Sequence, residues 1–182
     1  MKNYWFSSDF HLGHVNVLKY DKRGFKDVEE MNSTIINNHN NVVAPDDDFY
    51  FLGDFSFDDR HTEEWIKQLN GNKFFIKGNH DHYKTRKLYS KYGTYLGEFY
   101  DGKIDGHAIT LCHYAMRVWN KSHHGAIHLY GHSHGTLPDD QHSLSTDVGI
   151  MLNDYYPFSM NDIETIMSNK LFKPVDHHDR RK

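Results

Sequence analysis

Tyr4-Trp5-Phe6-Ser7-Ser8-Asp9-Phe10-His11 begins with an aromatic run and ends on a carboxylate and an imidazole two positions apart. The run reads as a buried strand. The polar side chains behind it then fall in the loop at its carboxyl end, where α/β sheets gather their ligand sites. Four further segments repeat the arrangement: Asp48 to Leu52 into Gly53-Asp54, Lys73 to Lys77 into Gly78-Asn79-His80-Asp81, Gly106 to Cys112 into His113, and Ala126 to Tyr130 into Gly131-His132-Ser133-His134. Residues distant in sequence would then converge on one rim. The donors delivered this way are Asp9, His11, Asp54, Asn79, His113, His132 and His134. Carboxylate, amide and imidazole without thiolate suit two divalent first-row metals better than a thiolate-built structural zinc.

Between these segments the apolar period changes to that of helices. Val28, Met31, Ile35 and Val42 predict a helix over 27–43, with Asp27 and Glu30 resembling a capping box. Short helices are expected at 15–20 and 84–92, and Thr62 is expected to cap a helix through Leu69. Tyr95 to Tyr100 reads as one strand, turning at Asp101-Gly102, and Ser143 to Ile150 as another. Ser159 with Asp162 begins a last helix whose apolar face is Ile163, Ile166 and Met167. No repeat or linker interrupts the chain, so one domain over 1–172 is expected, followed by a charged tail at 173–182.

At 182 residues the chain is long enough for a hydrophobic core, and 37% apolar with 15% aromatic residues is too apolar for disorder. The formal charge is −4 with Lys and Arg read as dispersed, so a nucleic-acid polymer is not expected as a partner. Cys112 is the sole cysteine, which rules out an intrachain disulfide. Without a signal-peptide pattern or a membrane-length apolar run, the expectation is a soluble cytoplasmic protein, with a homo-oligomer left open. Histidine, at 16 copies, is the outlier that directs attention to metal chemistry.

Taken in order, Asp9-Phe10-His11, Gly53-Asp54, Gly78-Asn79-His80-Asp81, His113 and Gly131-His132-Ser133-His134 resemble the motif series of the calcineurin-like metallophosphoesterase superfamily, in its small single-domain bacterial or phage form. The resemblance implies an α/β fold of two mixed β-sheets sandwiched between helices. It also implies that Asp9, His11 and His134 hold one metal, that Asn79, His113 and His132 hold the other, and that Asp54 bridges them. The cofactors implied are two divalent ions, Mn foremost, with Fe, Ni, Co or Zn as alternatives. His80 is implied to be catalytic, assisting the leaving oxygen after attack by a metal-bridging hydroxide. Asp81 or Asp58 is expected to orient it.

The activity implied is hydrolysis of phosphate esters. Phosphoprotein phosphatases of the superfamily carry arginine-containing signatures that Phe55 to Arg60 and His82 to Arg86 do not match. Nuclease relatives add a further domain for which the chain has no room. Small phosphodiesters are therefore the expected substrates, with a phosphomonoesterase, a nuclease of the same fold or a non-catalytic interaction scaffold as alternatives. His14 is read either as a rim or substrate residue or as a helix start. Arg117 is read either as a phosphate clamp or as a surface ion-pair partner.

Overall fold

Phe49 and Phe51 belong to one buried cluster while Tyr50 and Leu52, alternating with them, belong to another. Successive side chains of a strand point to opposite faces. An unbroken apolar run therefore marks a strand covered on both sides. The same split separates Trp5 from Phe6, and Phe75 from Phe74 and Ile76.

The structure, a computed structural model, describes residues 2–175; the remainder of the expected charged tail, 176–182, lies outside the described residues. Strands β1 (Tyr4–Ser7), β2 (Asp48–Phe51), β3 (Asn72–Ile76), β4 (Thr94–Gly97) and the short β9 (Phe158–Ser159) form one sheet in the order β4-β3-β2-β1-β9. Only β9 runs antiparallel to its neighbour there. The second sheet is β5 (Phe99–Ile104), β6 (His107–Cys112), β7 (Ile127–Tyr130) and β8 (Ser145–Asp147), with β5 antiparallel to β6 and the others parallel. Helices α2 (Val28–Val42), α3 (Thr62–Gln68) and α4 (Tyr83–Tyr92) bury Met31, Ile35, Ile66 and Tyr89 against the first sheet. Between the sheets lie Phe6, Leu52, Ile76, Ile109, Leu111 and Leu129, joined by Met160, Ile163 and Met167 of α5 (Met160–Ser168). A single turn, α1 (Val17–Tyr20), follows the first loop. Two mixed sheets flanked by helices make the αββα sandwich that the resemblance implies.

Several local expectations are corrected. Tyr95 to Tyr100 is not one strand: the chain leaves the first sheet at Gly97, in a left-handed conformation (φ 91°), and joins the second at Phe99. Asp101-Gly102 lies inside β5, and the hairpin turns instead at Asp105-Gly106, where both residues have positive φ and Ile104 faces His107. Asp27 accepts from the Glu30 amide, but the Glu30 carboxylate accepts from Lys26 N–H rather than from Asp27, so the capping box is half formed. Thr62 is the first helical residue, its hydroxyl donating to the Asp58 carbonyl, and is not the cap. Ser159 and Asp162 form the full box that begins α5.

Because β1, β2 and β3 run parallel, as do β6 and β7, their carboxyl ends open on one side of each sheet. The five donor-bearing loops leave from these ends.

Candidate metal centre

Five of the seven donor residues have left-handed backbones: Asp9 (φ 59°), His11 (φ 51°), Asp54 (φ 62°), His132 (φ 66°) and His134 (φ 47°). Non-glycine residues are strained there, and such strain collects at functional sites. The loops also require glycine at contact points. A Cβ at Gly78 would collide with the carboxylate and amide of Asp54, and one at Gly131 with Ser8 and the Asp9 carboxylate.

The structure brings the seven donors together in two adjoining groups. Asp9, His11 and His134 form one and Asp54, His113 and His132 the other, with candidate ligand atoms within 4.8 Å of one another in each. Asn79 Oδ1 joins the second group at 2.9 Å from His113 Nε2 and 2.8 Å from His132 Nδ1. Asp54 Oδ2 stands between the groups, 3.7 Å from His11 Nε2 and 3.5 Å from His113 Nε2. Its Oδ1 accepts the His80 amide at 2.8 Å, so one oxygen rather than two faces both groups.

The hydrogen-bond chemistry fits a cation. His113 Nδ1–H donates to the Leu52 carbonyl (2.7 Å), which leaves its Nε2 lone pair aimed at the acceptors Asn79 Oδ1 and Asp54 Oδ2. His134 Nδ1–H donates to Asp21 (2.7 Å), and its Nε2 faces His11 Nε2 at 3.1 Å and Asp9 Oδ1 at 3.3 Å. Asp9 Oδ1 is buried without a hydrogen-bond partner. Such convergence of acceptors needs positive charge between them. Burial lowers the pKa of both rings, but the nearby Asp54 carboxylate raises that of His113, and the Asp21 and Asp9 carboxylates lift His134 to about 10. Burial pushes His11 down to about 3, which keeps the ring neutral with one nitrogen lone pair free.

A second layer holds these side chains, and sequence reasoning missed it. Arg23, only 3% exposed, donates to the carbonyls of Asp9 and Phe10 (2.9 Å each) and pairs with Asp21 at 3.0 Å. Asp21 in turn fixes the tautomer and direction of His134, the carboxylate–histidine arrangement that tunes metal ligands. Asp21-Lys22-Arg23 carries no motif that sets it apart in sequence from a solvated charged loop. Asp81 does not orient His80. Its oxygens accept the amides of Asp54 (2.9 Å), Phe55 (3.1 Å) and Gly78 (2.8 Å), tying two donor loops together. Asp58 is likewise committed to Arg60 and His61.

His80 stands at the mouth, its Nε2 4.0 Å from Asp54 Oδ2. His14 lies on the same rim, its ring centroid 5.7 Å from that of His11. Arg117 is not brought to the donors: it is exposed, in a groove with Trp119, Tyr130, Leu137 and Phe172 that holds none of the seven. Trp119 is structural, donating its indole N–H to the Ala126 carbonyl.

The chain is 31% identical to the uncharacterized protein MJ1445 of Methanocaldococcus jannaschii, across 97% of this chain and 98% of the relative, and it belongs to that protein's family. It is 29% identical to the gene 66 protein of Mycobacterium phage L5 over 78% of this chain and 82% of the relative. No protein-family model matches. A protein of unknown function from Aquifex aeolicus, AQ665, superposes with a TM-score of 0.71 at 21% identity, covering 91% of this chain and all of that one. An archaeal phosphodiesterase superposes with a TM-score of 0.50 at 16% identity, over 87% of this chain and 98% of its own. These two likenesses establish the fold. Among the described residues, no helix is long and apolar enough to cross a membrane.

Proposed function

We propose that the protein is a dimetal-dependent phosphodiesterase acting on small phosphate diesters, of the small single-domain type of its superfamily. The observation that carries this reading is Asp54 Oδ2 set between two three-residue donor groups. A fold neighbour named as a phosphodiesterase and the oxygen-imidazole donor set support it. When bound, a pair of divalent cations supplies Lewis-acid neutralisation at phosphoryl oxygens and acidifies water. Asp9, His11 and His134 would hold one cation, Asn79, His113 and His132 the other, and Asp54 both. The amide oxygen of Asn79 contributes coordination without charge.

The protein's own residues do the rest. His80 is solvent-accessible, and the bond from its amide to Asp54 fixes its backbone, so its ring can give a proton to the leaving oxygen. Arg23, Asp21 and Asp81 hold the ligand loops rigid and leave the chemistry to others. With Arg117 in another groove, no arginine clamp faces the donors among the described residues, which favours a singly charged diester over a dianionic monoester. The test is a bis-aryl phosphate, its mono-aryl counterpart, a cyclic nucleotide and a single-stranded oligonucleotide, each assayed with Mn, Fe, Ni, Co and Zn. Metal-dependent turnover with the diesters leading is expected. A clear preference for the monoester or the oligonucleotide would overturn the substrate class, and no metal-dependent turnover would overturn the activity.

A further inference from the structure

Three aromatic rings, His80, Phe57 and His14, surround the donor His11, each with its centroid 5.7 Å from that of His11, and Tyr20 packs against His14. Phe57 is 4.6 Å from His80. His14 stacks on Phe57 at 3.9 Å with 12° between the planes, and Tyr20 stands edge-on to His14 at 6.2 Å. Phe57 is 45% exposed and Tyr20 73% exposed, and neither belongs to either core cluster. Single exposed apolar residues are ordinary. A cluster of aromatic rings anchored beside a polar site is not.

Phe57 is anchored through its backbone. Its N–H donates to the Leu12 carbonyl (2.9 Å) while Leu12 N–H donates to the Phe55 carbonyl (3.0 Å), zipping the two loops. Gly13 N–H is held by Asn32 Oδ1 at 3.0 Å, and His14 N–H by the His11 carbonyl at 3.0 Å. The stacked pair is thus in place before any ligand arrives, which reduces the ordering cost of binding a planar group.

Resting on the phosphodiesterase reading, His80 meets the leaving oxygen, and Phe57 is the ring packed beside it at 4.6 Å. An aryl group attached directly to that oxygen would lie against His80. A base reached through a sugar would extend past that oxygen to the neighbouring half-exposed ring, Phe57. The opposite flank differs: Tyr114 meets His132 and His113 edge-on, at 4.7 and 5.2 Å, without a parallel partner among the described residues. We propose that Phe57, backed by His14, is a base-stacking subsite for a nucleoside leaving group, so that the substrate is a nucleotide diester cleaved with release of the nucleoside. A water oxygen bonds to phosphorus, the bond from phosphorus to the nucleoside oxygen breaks, and a proton passes to that oxygen.

Adenosine 5′-(methyl phosphate) tests this directly. Its two leaving oxygens are both primary alkoxides, so intrinsic reactivity scarcely chooses between them and the protein decides. The expected products are adenosine and methyl phosphate rather than AMP and methanol. Phe57→Ala should shrink that preference by about 10-fold, within the range for losing one stacked base. Phe57→Trp should retain the preference, and Phe57→Leu, apolar but without a planar ring, should lose it. An even product ratio in the wild type, or an undiminished preference in the Ala or Leu variant, would overturn the subsite. Independently, adenosine titrated into metal-free protein should shift the ring resonances of Phe57 and His14, with phenol as the control. Unmoved rings, or equal shifts with phenol, would also overturn it. A wild type that hydrolyses no phosphate ester, bis-aryl included, refutes the phosphodiesterase reading, while the titration still decides the subsite.

Discussion

Arg23→Ala should be among the most destabilising substitutions, although Arg23 touches none of the proposed metals. Its guanidinium is buried and makes one bond each to the carbonyls of Asp9 and Phe10, as well as a two-pronged contact with Asp21. Alanine would leave two buried carbonyls without their charged donor and a mostly buried carboxylate without its counter-ion. Removing one partner of a buried ion pair costs about 3–5 kcal/mol, far more than an exposed pair is worth. With a urea slope of roughly 2 kcal/mol per molar, the unfolding midpoint should fall by about 1.5–2.5 M. The assay is equilibrium urea unfolding of metal-free protein followed by tryptophan fluorescence, with metal affinity measured separately under native conditions. Because Asp9, Phe10 and His11 share the loop that Arg23 grips, affinity should fall as well, by the 10- to 100-fold typical of losing a group behind a ligand. A loss below about 1 kcal/mol with unchanged metal affinity would refute the account of Arg23 as the loop's anchor.

Other outcomes follow from the same geometry. Asp54→Ala should be the most damaging ligand change, removing the oxygen set between both donor groups, and elemental analysis of the purified variant should show metal lost from both. His80→Ala should keep its metal content while turnover falls by roughly 100- to 10,000-fold; metal loss would instead place His80 among the ligands. Gly78→Ala should disrupt the centre, since its Cβ meets Asp54, and would be read as lowered metal content. Burial pushes His39 and His128 down to about 4, so below about 6.5 the unfolded chain takes up protons that the native protein refuses. Their stabilising contribution is therefore full above pH 6.5 and is lost as pH falls toward 4, by about 1.4 kcal/mol per pH unit for each ring. His39→Leu should flatten the stability profile in that window, and an unchanged slope would contradict this assignment.

Much of the fold was legible because burial on two faces leaves a plain mark: apolar runs such as Asp48 to Leu52 admit few alternatives to a buried strand, and each ends at a donor. The convergence of the candidate donors was legible for the same reason, since they directly follow those runs. What escaped depended on pairing between distant segments. Either Asp101-Gly102 or Asp105-Gly106 suits a tight turn, and the partnering of Ile104 with His107 decides between them. The break at Gly97 is set by which sheet receives the chain next. Arg23 was hidden because a charged loop looks alike whether it faces water or is folded inward over two carbonyls. Asp81, adjacent to His80 in sequence, suggested a role in orienting it, whereas its carboxylate turns inward to three backbone amides.

The central claim is that two cations share one carboxylate, and a metal titration followed jointly by calorimetry and bis-aryl phosphate turnover tests it most directly. The account predicts saturation at two equivalents of Mn per chain, with activity appearing as the second equivalent binds, and loss of both events in Asp54→Ala. Full activity at one equivalent, or an Asp54→Ala variant that still binds two, would contradict it.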